Sequence, residues 1–391
     1  MNLTQPWSKA HKRMTKTSSG GLPYSLSNSF TAPLTSAELL QHTESRQDAD
    51  LLSLYSNHPL TYTPNGGSLD LRQDISNLYG PQISPDNVLV FPGAQVALQT
   101  SSFAFASEHT IVFTPGYQST VECPKHAGGS VTSIPLDPKT FQIDLEKVKE
   151  AITSKTKYMV INQPYNPAGT LMPLSEYTEL ISLCRENDII LSSDEVYRLL
   201  EHEGTERLPS VADFYEKGIS CVTMSKPWGG CGITIGWLVC QDEGMIERLK
   251  DVQYFGTACP ARASEIQGMM VLRSSEVILE ERRKILNDNK KLLISFIDKY
   301  SDFFAWTPPS AGATCFINCL PITSSQLGLE LAEVGIGVKP AYCFAEKVDA
   351  SFSGFFRVGF GEREFPERLA KLEEFVESKK EIWAEIMKSK K

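Results

Sequence analysis

Short apolar runs alternate with amphipathic stretches along much of the chain. Val88-Leu89-Val90-Phe91 reads as a buried strand, and Gly93 then opens a helix-like run from Ala94 to Ala106. Thr110-Ile111-Val112-Phe113, Tyr158-Met159-Val160-Ile161, Ile189-Ile190-Leu191 and Ser220-Cys221-Val222-Thr223 read as further strands, followed by Ile233 to Cys240. A periodic stretch from Ser175 to Asn187 predicts a helix between two of them. Apolar runs with little polar alternation suit strands buried on both faces, and strands separated by helices predict a mostly parallel sheet between helical layers.

Past residue 260 the pattern changes. Ala261 to Tyr300 is long, charged and helical in period. Thr314-Cys315-Phe316-Ile317, Gly337-Val338 and Phe355 to Phe360 read as short strands, and a closing helix starts near Pro366. This second pattern predicts a smaller α+β lobe. Residues 1 to about 45 are too few to build a core alone and are expected to return to that lobe. The expectation is an α/β protein: a three-layer large domain with a mostly parallel sheet, residues 46–285, and a smaller α+β domain of residues 1–45 plus 286–391. With 391 residues the chain is comfortable for two such domains.

The formal net charge of −9, with no extended Lys/Arg block, gives no reason to expect nucleic acid or an anionic membrane as partner. No stretch approaches the roughly eighteen consecutive apolar residues of a membrane-spanning helix. The nine cysteines are scattered without a Cys-x-x-Cys, which suits free thiols in a reducing compartment, and a cytoplasmic location is expected. Cys315 and Cys319 have no histidines nearby to complete a zinc site, so no metal is expected. Residues 1–20 are basic but lack an apolar core segment, and read as a frayed arm rather than a transit peptide.

The candidate chemistry lies just after the predicted strands, where open α/β sheets bind ligands. Gly93-Ala94-Gln95 joins a strand to a helix, and small residues there let backbone N–H groups approach a phosphate. A glycine at that point is by itself only a turn. Thr223 and Ser225 add hydroxyl donors, and Tyr117 offers a ring to stack on a flat cofactor. Asp194, in Ser193-Asp194-Glu195-Val196-Tyr197, would keep a pyridine nitrogen protonated, although an Asp there is often a helix cap. Asn166, in Asn162-Gln163-Pro164-Tyr165-Asn166-Pro167, and Tyr197 would hydrogen-bond the ring's phenolic oxygen. Lys226, in Ser225-Lys226-Pro227-Trp228-Gly229-Gly230-Cys231, would form a Schiff base and then act as general base and acid. A strand-end lysine is ordinarily a surface residue, and it is the order of all these motifs together that points to pyridoxal phosphate. Arg357 stands in an apolar strand, where a clamp on a substrate α-carboxylate or a structural ion pair would explain it.

These residues resemble the class I/II aminotransferases of pyridoxal-phosphate fold type I, from about Tyr62 to Arg357. Tyr62-Thr63-Pro64-Asn65-Gly66-Gly67-Ser68-Leu69-Asp70-Leu71-Arg72 is similar to the family's opening motif. The resemblance implies that Tyr62 reaches the neighbouring subunit's cofactor phosphate, and hence a homodimer with shared sites. It also implies transamination between an amino acid and a keto acid, with specificity set near Ser27-Asn28-Ser29-Phe30 and by small-domain loops. One departure stands out. Where the family ordinarily carries a phosphate-binding arginine, this chain has Thr234, in Gly232-Ile233-Thr234-Ile235-Gly236. With the Trp-Gly-Gly-Cys-Gly lysine loop, this resembles a capreomycidine-synthase-like branch. That branch implies elimination or cyclisation on an arginine-like amino acid as the alternative to transamination.

Overall fold

The computed structural model describes residues 6–15, 21–257 and 259–390. The first strand, β1 (Tyr24–Ser25), belongs to the smaller lobe. The main sheet is built from β2 (Val88–Phe91), β3 (His109–Thr114), β4 (Ser130–Pro135), β5 (Thr156–Asn162), β6 (Ile190–Asp194), β7 (Gly218–Thr223) and β8 (Gly236–Val239). Their order is β2-β8-β7-β6-β5-β3-β4. Pairing is parallel from β4 through β7, and β8 alone runs against the others. Every residue of β2, β7 and β8 is buried, so these strands carry continuous apolar runs rather than alternation.

Two parts of the sheet differ from the pattern reading. β4 is an edge strand with one buried residue, Ile134, and so lacks the apolar run that marks the others. β8 begins later than Ile233, because a single 3-10 turn (Cys231–Ile233) and a left-handed Thr234 at φ 55° precede it. The long charged stretch past residue 260 is two helices, Arg262–Arg273 and Ser275–Lys299, which meet at Ser274.

The smaller lobe has β9 (Phe304–Trp306), β10 (Thr314–Cys319), β11 (Ile336–Gly337), β12 (Lys339–Pro340) and β13 (Phe355–Gly359). β12, β13, β10 and β9 form an antiparallel sheet, while β11 pairs parallel with β1. Val338 falls between β11 and β12 rather than within a strand. The register sets Arg357 of β13 opposite Phe316 on one side and Lys339 on the other. The helix Phe365–Ser389 closes the chain.

The N-terminal arm is more structured than expected. Trp7–Met14 is a helix, and Trp7 packs with Val121 and Tyr158 on the large sheet's helical layer. The Trp7 amide donates to Gln118 Oε1 at 2.6 Å. His11 is buried as well and bonds the Tyr342 hydroxyl, so the helix is docked through two side chains, since packing rather than propensity stabilises helices of this length. Residues 1–5 and 16–20 of the arm lie outside the described residues. Among the described residues, no helix is long and apolar enough to cross a membrane, and all nine cysteines are free thiols.

Candidate functional site

The carboxyl ends of the parallel strands deliver the polar residues. Asn162 ends β5, Asp194 ends β6, Thr223 ends β7, and Gly93 follows β2. Between these ends and the smaller lobe lies a cavity of about 320 Å³. Gly93, Ala94, Gln95, Tyr117, Asn166, Asp194, Tyr197, Thr223, Ser225, Lys226, Thr234 and Arg357 all line it. Tyr62 does not; it is 93% exposed, away from this chain's own cavity.

One wall is an anion cradle. Gly93 caps the helix Ala94–Phe105 at φ 94°, and no side chain occupies the cap. The free N–H groups of the first turn and the helix dipole therefore face the cavity's Gly93-Ala94-Gln95 edge. A Cβ on Gly236 would stand 2.5 Å from the Ala94 nitrogen, so glycine at the head of β8 is what permits this packing. The Thr223 and Ser225 hydroxyls lie 3.4 Å apart on the same side. Thr234 is exposed, and its left-handed backbone is strained for a β-branched residue.

Another part of the lining holds a buried acid, Asp194, and a half-buried amine, Lys226. Burial pushes the Asp194 carboxyl up to about 7, against the Val196 amide that bonds it at 3.3 Å. Burial, with the charge of Arg357, lowers Lys226 to about 8. Lys226 Nζ donates to Ser29 Oγ at 3.0 Å. Its backbone is held in turn, because Thr31 Oγ1 donates to the Lys226 carbonyl at 2.9 Å. The lysine loop closes under the N-terminal segment. Gly229, at φ 68°, sits where a Cβ would strike the Ala32 carbonyl, and the buried Trp228 donates its indole N–H to Ser275 Oγ at 2.6 Å. Glu195, next to Asp194, has another task. It accepts from the Ser210 and Ser220 hydroxyls and the Val211 amide, so it is a satisfied core carboxylate.

Arg357 closes the site from the small lobe. It donates to Asn166 Oδ1 at 3.0 Å and to the Ser27 carbonyl at 2.7 Å, and its guanidinium lies 5.2 Å from the Phe344 ring centre. Its acceptors are neutral, and its Nε is buried with no partner. A buried guanidinium held this way retains capacity for a carboxylate.

Three residues escaped the sequence reading. Ser29 accepts from Lys226. Asn162 bridges the site, donating to the Asp194 carbonyl at 2.6 Å and accepting from the Asn166 amide at 2.6 Å. Lys339 lines the cavity beside Arg357, lowered to about 7 by burial and by that neighbouring charge. Asn162 and Ser29 lie in segments already singled out, whereas Lys339 carries no motif.

A mostly parallel sheet with one reversed strand, its site at the strand ends and a small lobe lying over them, is the fold of the type I pyridoxal-phosphate aminotransferases. Residues 39–371 match the aminotransferase class I and II family, and the chain belongs to it. It is 30% identical to a probable aspartate aminotransferase of Methanocaldococcus jannaschii over 231 residues, which span 56% of this chain and 61% of that protein. An aspartate aminotransferase of Pyrococcus abyssi is 25% identical over 336 residues, 82% of this chain and 85% of that one. A PLP-dependent aminotransferase from Streptococcus suis superposes with a TM-score of 0.87 at 25% identity, covering 97% of this chain and 99% of that one. The PLP-dependent cyclase OrfR superposes with a TM-score of 0.84 at 20% identity, covering 97% and 98%, a likeness of fold.

Proposed function

We propose that this chain is a pyridoxal-phosphate-dependent aminotransferase acting on an L-amino acid, with Lys226 as the residue that anchors the cofactor covalently. The observation that carries this reading is one cavity lined by a half-buried lysine, a buried carboxyl and a helix N-terminus with no side-chain cap, with Arg357 at its edge. With it we propose a homodimer with shared sites, a cofactor-holding lobe of residues 46–285, and a smaller lobe of residues 1–45 plus 286–391.

The donor set fits the cofactor. The helix N-terminus at Gly93-Ala94-Gln95, with Thr223 and Ser225, would hold the phosphate; Thr234 adds at most one neutral donor there. Tyr117 would cover the ring, Asn166 would bond its phenolic oxygen, and Tyr197 would do so on turning its hydroxyl from the Ser29 carbonyl. When bound, the cofactor would supply an electron-withdrawing ring conjugated, through the substrate's amino nitrogen, with its α-carbon. Asp194, which is buried, would hold its carboxylate against the ring nitrogen and so favour protonation there. Arg357 orients the substrate through its α-carboxylate. Lys226 Nζ then takes the α-proton, and an amine lowered to about 8 is deprotonated in useful amount near neutrality. Tyr197 donates to the Ser29 carbonyl at 3.0 Å, and Ser29 in turn holds Nζ, so the lysine is aimed by the N-terminal segment.

The test is to add single amino acids to the cofactor-loaded protein with no keto acid present. Keto acid and pyridoxamine phosphate in equal, stoichiometric amounts are expected. A second reading, elimination or cyclisation on an arginine-like amino acid, is favoured by Thr234 and the lysine loop. Release of ammonia or water with no keto acid would move the protein to that reading.

A further inference from the structure

Strands β12 and β13 run antiparallel, and their register sets Lys339 directly opposite Arg357. Residues paired in this way project from one face of a sheet as neighbours. Both side chains line the cofactor pocket, and both also line a second cavity that adjoins it. Two cations thus share one wall. Like charges set directly opposite each other destabilise a strand pair, and an anion between them removes that penalty. A carboxylate held on Arg357 comes within reach of Lys339, because the two side chains leave adjacent positions on the same face.

The charges that bear on Lys339 are mostly positive. Arg357, Lys226 and Lys12 all oppose its ammonium, and with burial they lower it to about 7. The neighbouring Cys343 thiol is pushed up to about 11 by burial, so it is neutral near neutrality. His11, on the helix Trp7–Met14, is lowered to about 4 by burial and by Lys339, so it is neutral as well. Asp194, Tyr117 and Tyr197 share the cofactor pocket with Lys339. Across the second cavity stand Glu122, Cys123 and His126 of the helix Gln118–His126, and Lys9 also lines it. Glu122 is already paired, with Lys125 Nζ at 2.8 Å. An incoming anion would therefore meet a wall of net positive charge and restore the Lys339 ammonium.

We propose that Lys339 is a second cationic contact for the substrate's α-carboxylate, shared with Arg357, and that its amine takes up a proton from solvent as the carboxylate binds. This rests on the reading of the pocket as one that holds an amino acid by its α-carboxylate. The test uses cofactor-loaded protein and two unreactive ligands that lack an α-amino group, isocaproate and glutarate. Dissociation constants are measured by calorimetry across pH, and the cofactor's absorbance is followed alongside so that its own protonation is counted separately. With an amine that titrates at about 7, both ligands are expected to bind about tenfold more weakly at pH 8 than at pH 6. Lys339→Arg, which stays charged, is expected to bind both tightly with less than about twofold change over that range. Lys339→Met is expected to bind both about tenfold more weakly than wild type at the acid end, again without the slope. In turnover it should raise KM several-fold and leave kcat within about twofold. Wild-type binding that is flat across the range, or no saturable binding of either ligand, overturns the proposal without any variant. So does a slope that survives Lys339→Arg, which would belong to another group such as His126. A slope confined to glutarate overturns it as well, because Lys339 would then meet a side-chain acid. A Lys339-dependent slope in a protein that transaminates nothing would uphold the contact and overturn the catalytic reading. Transamination with flat binding would do the reverse.

Discussion

Lys226 and Asp194 depart from their ordinary values chiefly because burial strips water from both, with the charge of Arg357 adding to the shift of Lys226. The consequences for the cofactor-free protein have opposite signs. The Asp194 carboxyl, raised from 3.8 to about 7, stays protonated in the fold where the unfolded chain has ionised, so its contribution makes stability fall as pH rises through that window. Lys226, lowered from 10.5 to about 8, has lost a proton in the fold that the unfolded chain keeps, so its contribution makes stability rise with pH between those values. Asp194→Asn should therefore flatten the decline of Tm across the acidic window in cofactor-free protein, and melting curves as a function of pH would show it. An unchanged slope would mean that Asp194 ionises freely. Thr234 carries a second residue-scale prediction. It is exposed at the cradle's edge and offers no charge. Thr234→Arg should tighten pyridoxal phosphate by about tenfold or more, since hydrogen bonds to charged groups contribute about 1.5–3 kcal/mol. Equilibrium dialysis that finds unchanged or weaker binding would mean the helix N-terminus and hydroxyls already saturate the phosphate. Lys226, Asp194, Asn166 and Arg357 could be picked out from sequence because each follows or interrupts an apolar run in a distinctive local motif. Lys339 could not, because an isolated lysine is ordinarily a surface residue, and only tertiary packing half-buries it against the cavity.

At the scale of elements, legibility followed burial. Strands β2, β7 and the buried middle of β5 show themselves as apolar runs because both faces are covered. β4 stayed hidden because an edge strand with one buried side chain has no such run, and the break at Ser274 stayed hidden because helical periodicity continues on both sides of it. The helix Trp7–Met14 reads in sequence as a frayed arm for a similar reason: eight residues of mostly polar character carry too little pattern to reveal that Trp7 and His11 are buried. Pro6 and Lys9, at this helix, line not the cofactor pocket but a cavity of about 440 Å³ beside it, which shares Gln95, Tyr117, Lys339 and Arg357 with that pocket. Trp7→Ala should release the helix and open that cavity. The expected outcome is a KM raised several-fold with kcat within about twofold, because ground-state binding is lost without touching Lys226. Steady-state kinetics that show kcat falling as steeply as kcat/KM would place the helix in the catalytic step instead.

The whole molecule leaves an apolar surface that its own fold does not cover. Leu60 is 95% exposed, Tyr62 93% and Phe255 89%. The segments that bear them are tied together, for Thr63 Oγ1 donates to the Pro260 carbonyl at 2.8 Å and the Ser68 amide to Glu265 Oε1 at 3.0 Å. Exposed aromatic and aliphatic side chains on joined segments suit a face covered by a second copy of the chain. If Tyr62 acts across that face, its hydroxyl and Lys226 serve one site from two chains. Lys226→Ala protein should then be inactive, and Tyr62→Ala protein should be poorly loaded at limiting cofactor. Unfolded together and refolded in equal amounts, half of the dimers would be mixed, and each mixed dimer would hold one site with both residues intact. Activity should return to about a quarter of wild type under symmetric pairing, although neither parent turns over at that cofactor concentration. A mixture no more active than the mean of its parents would show that each chain completes its own site, and Tyr62 would then have to be explained by the apolar face alone.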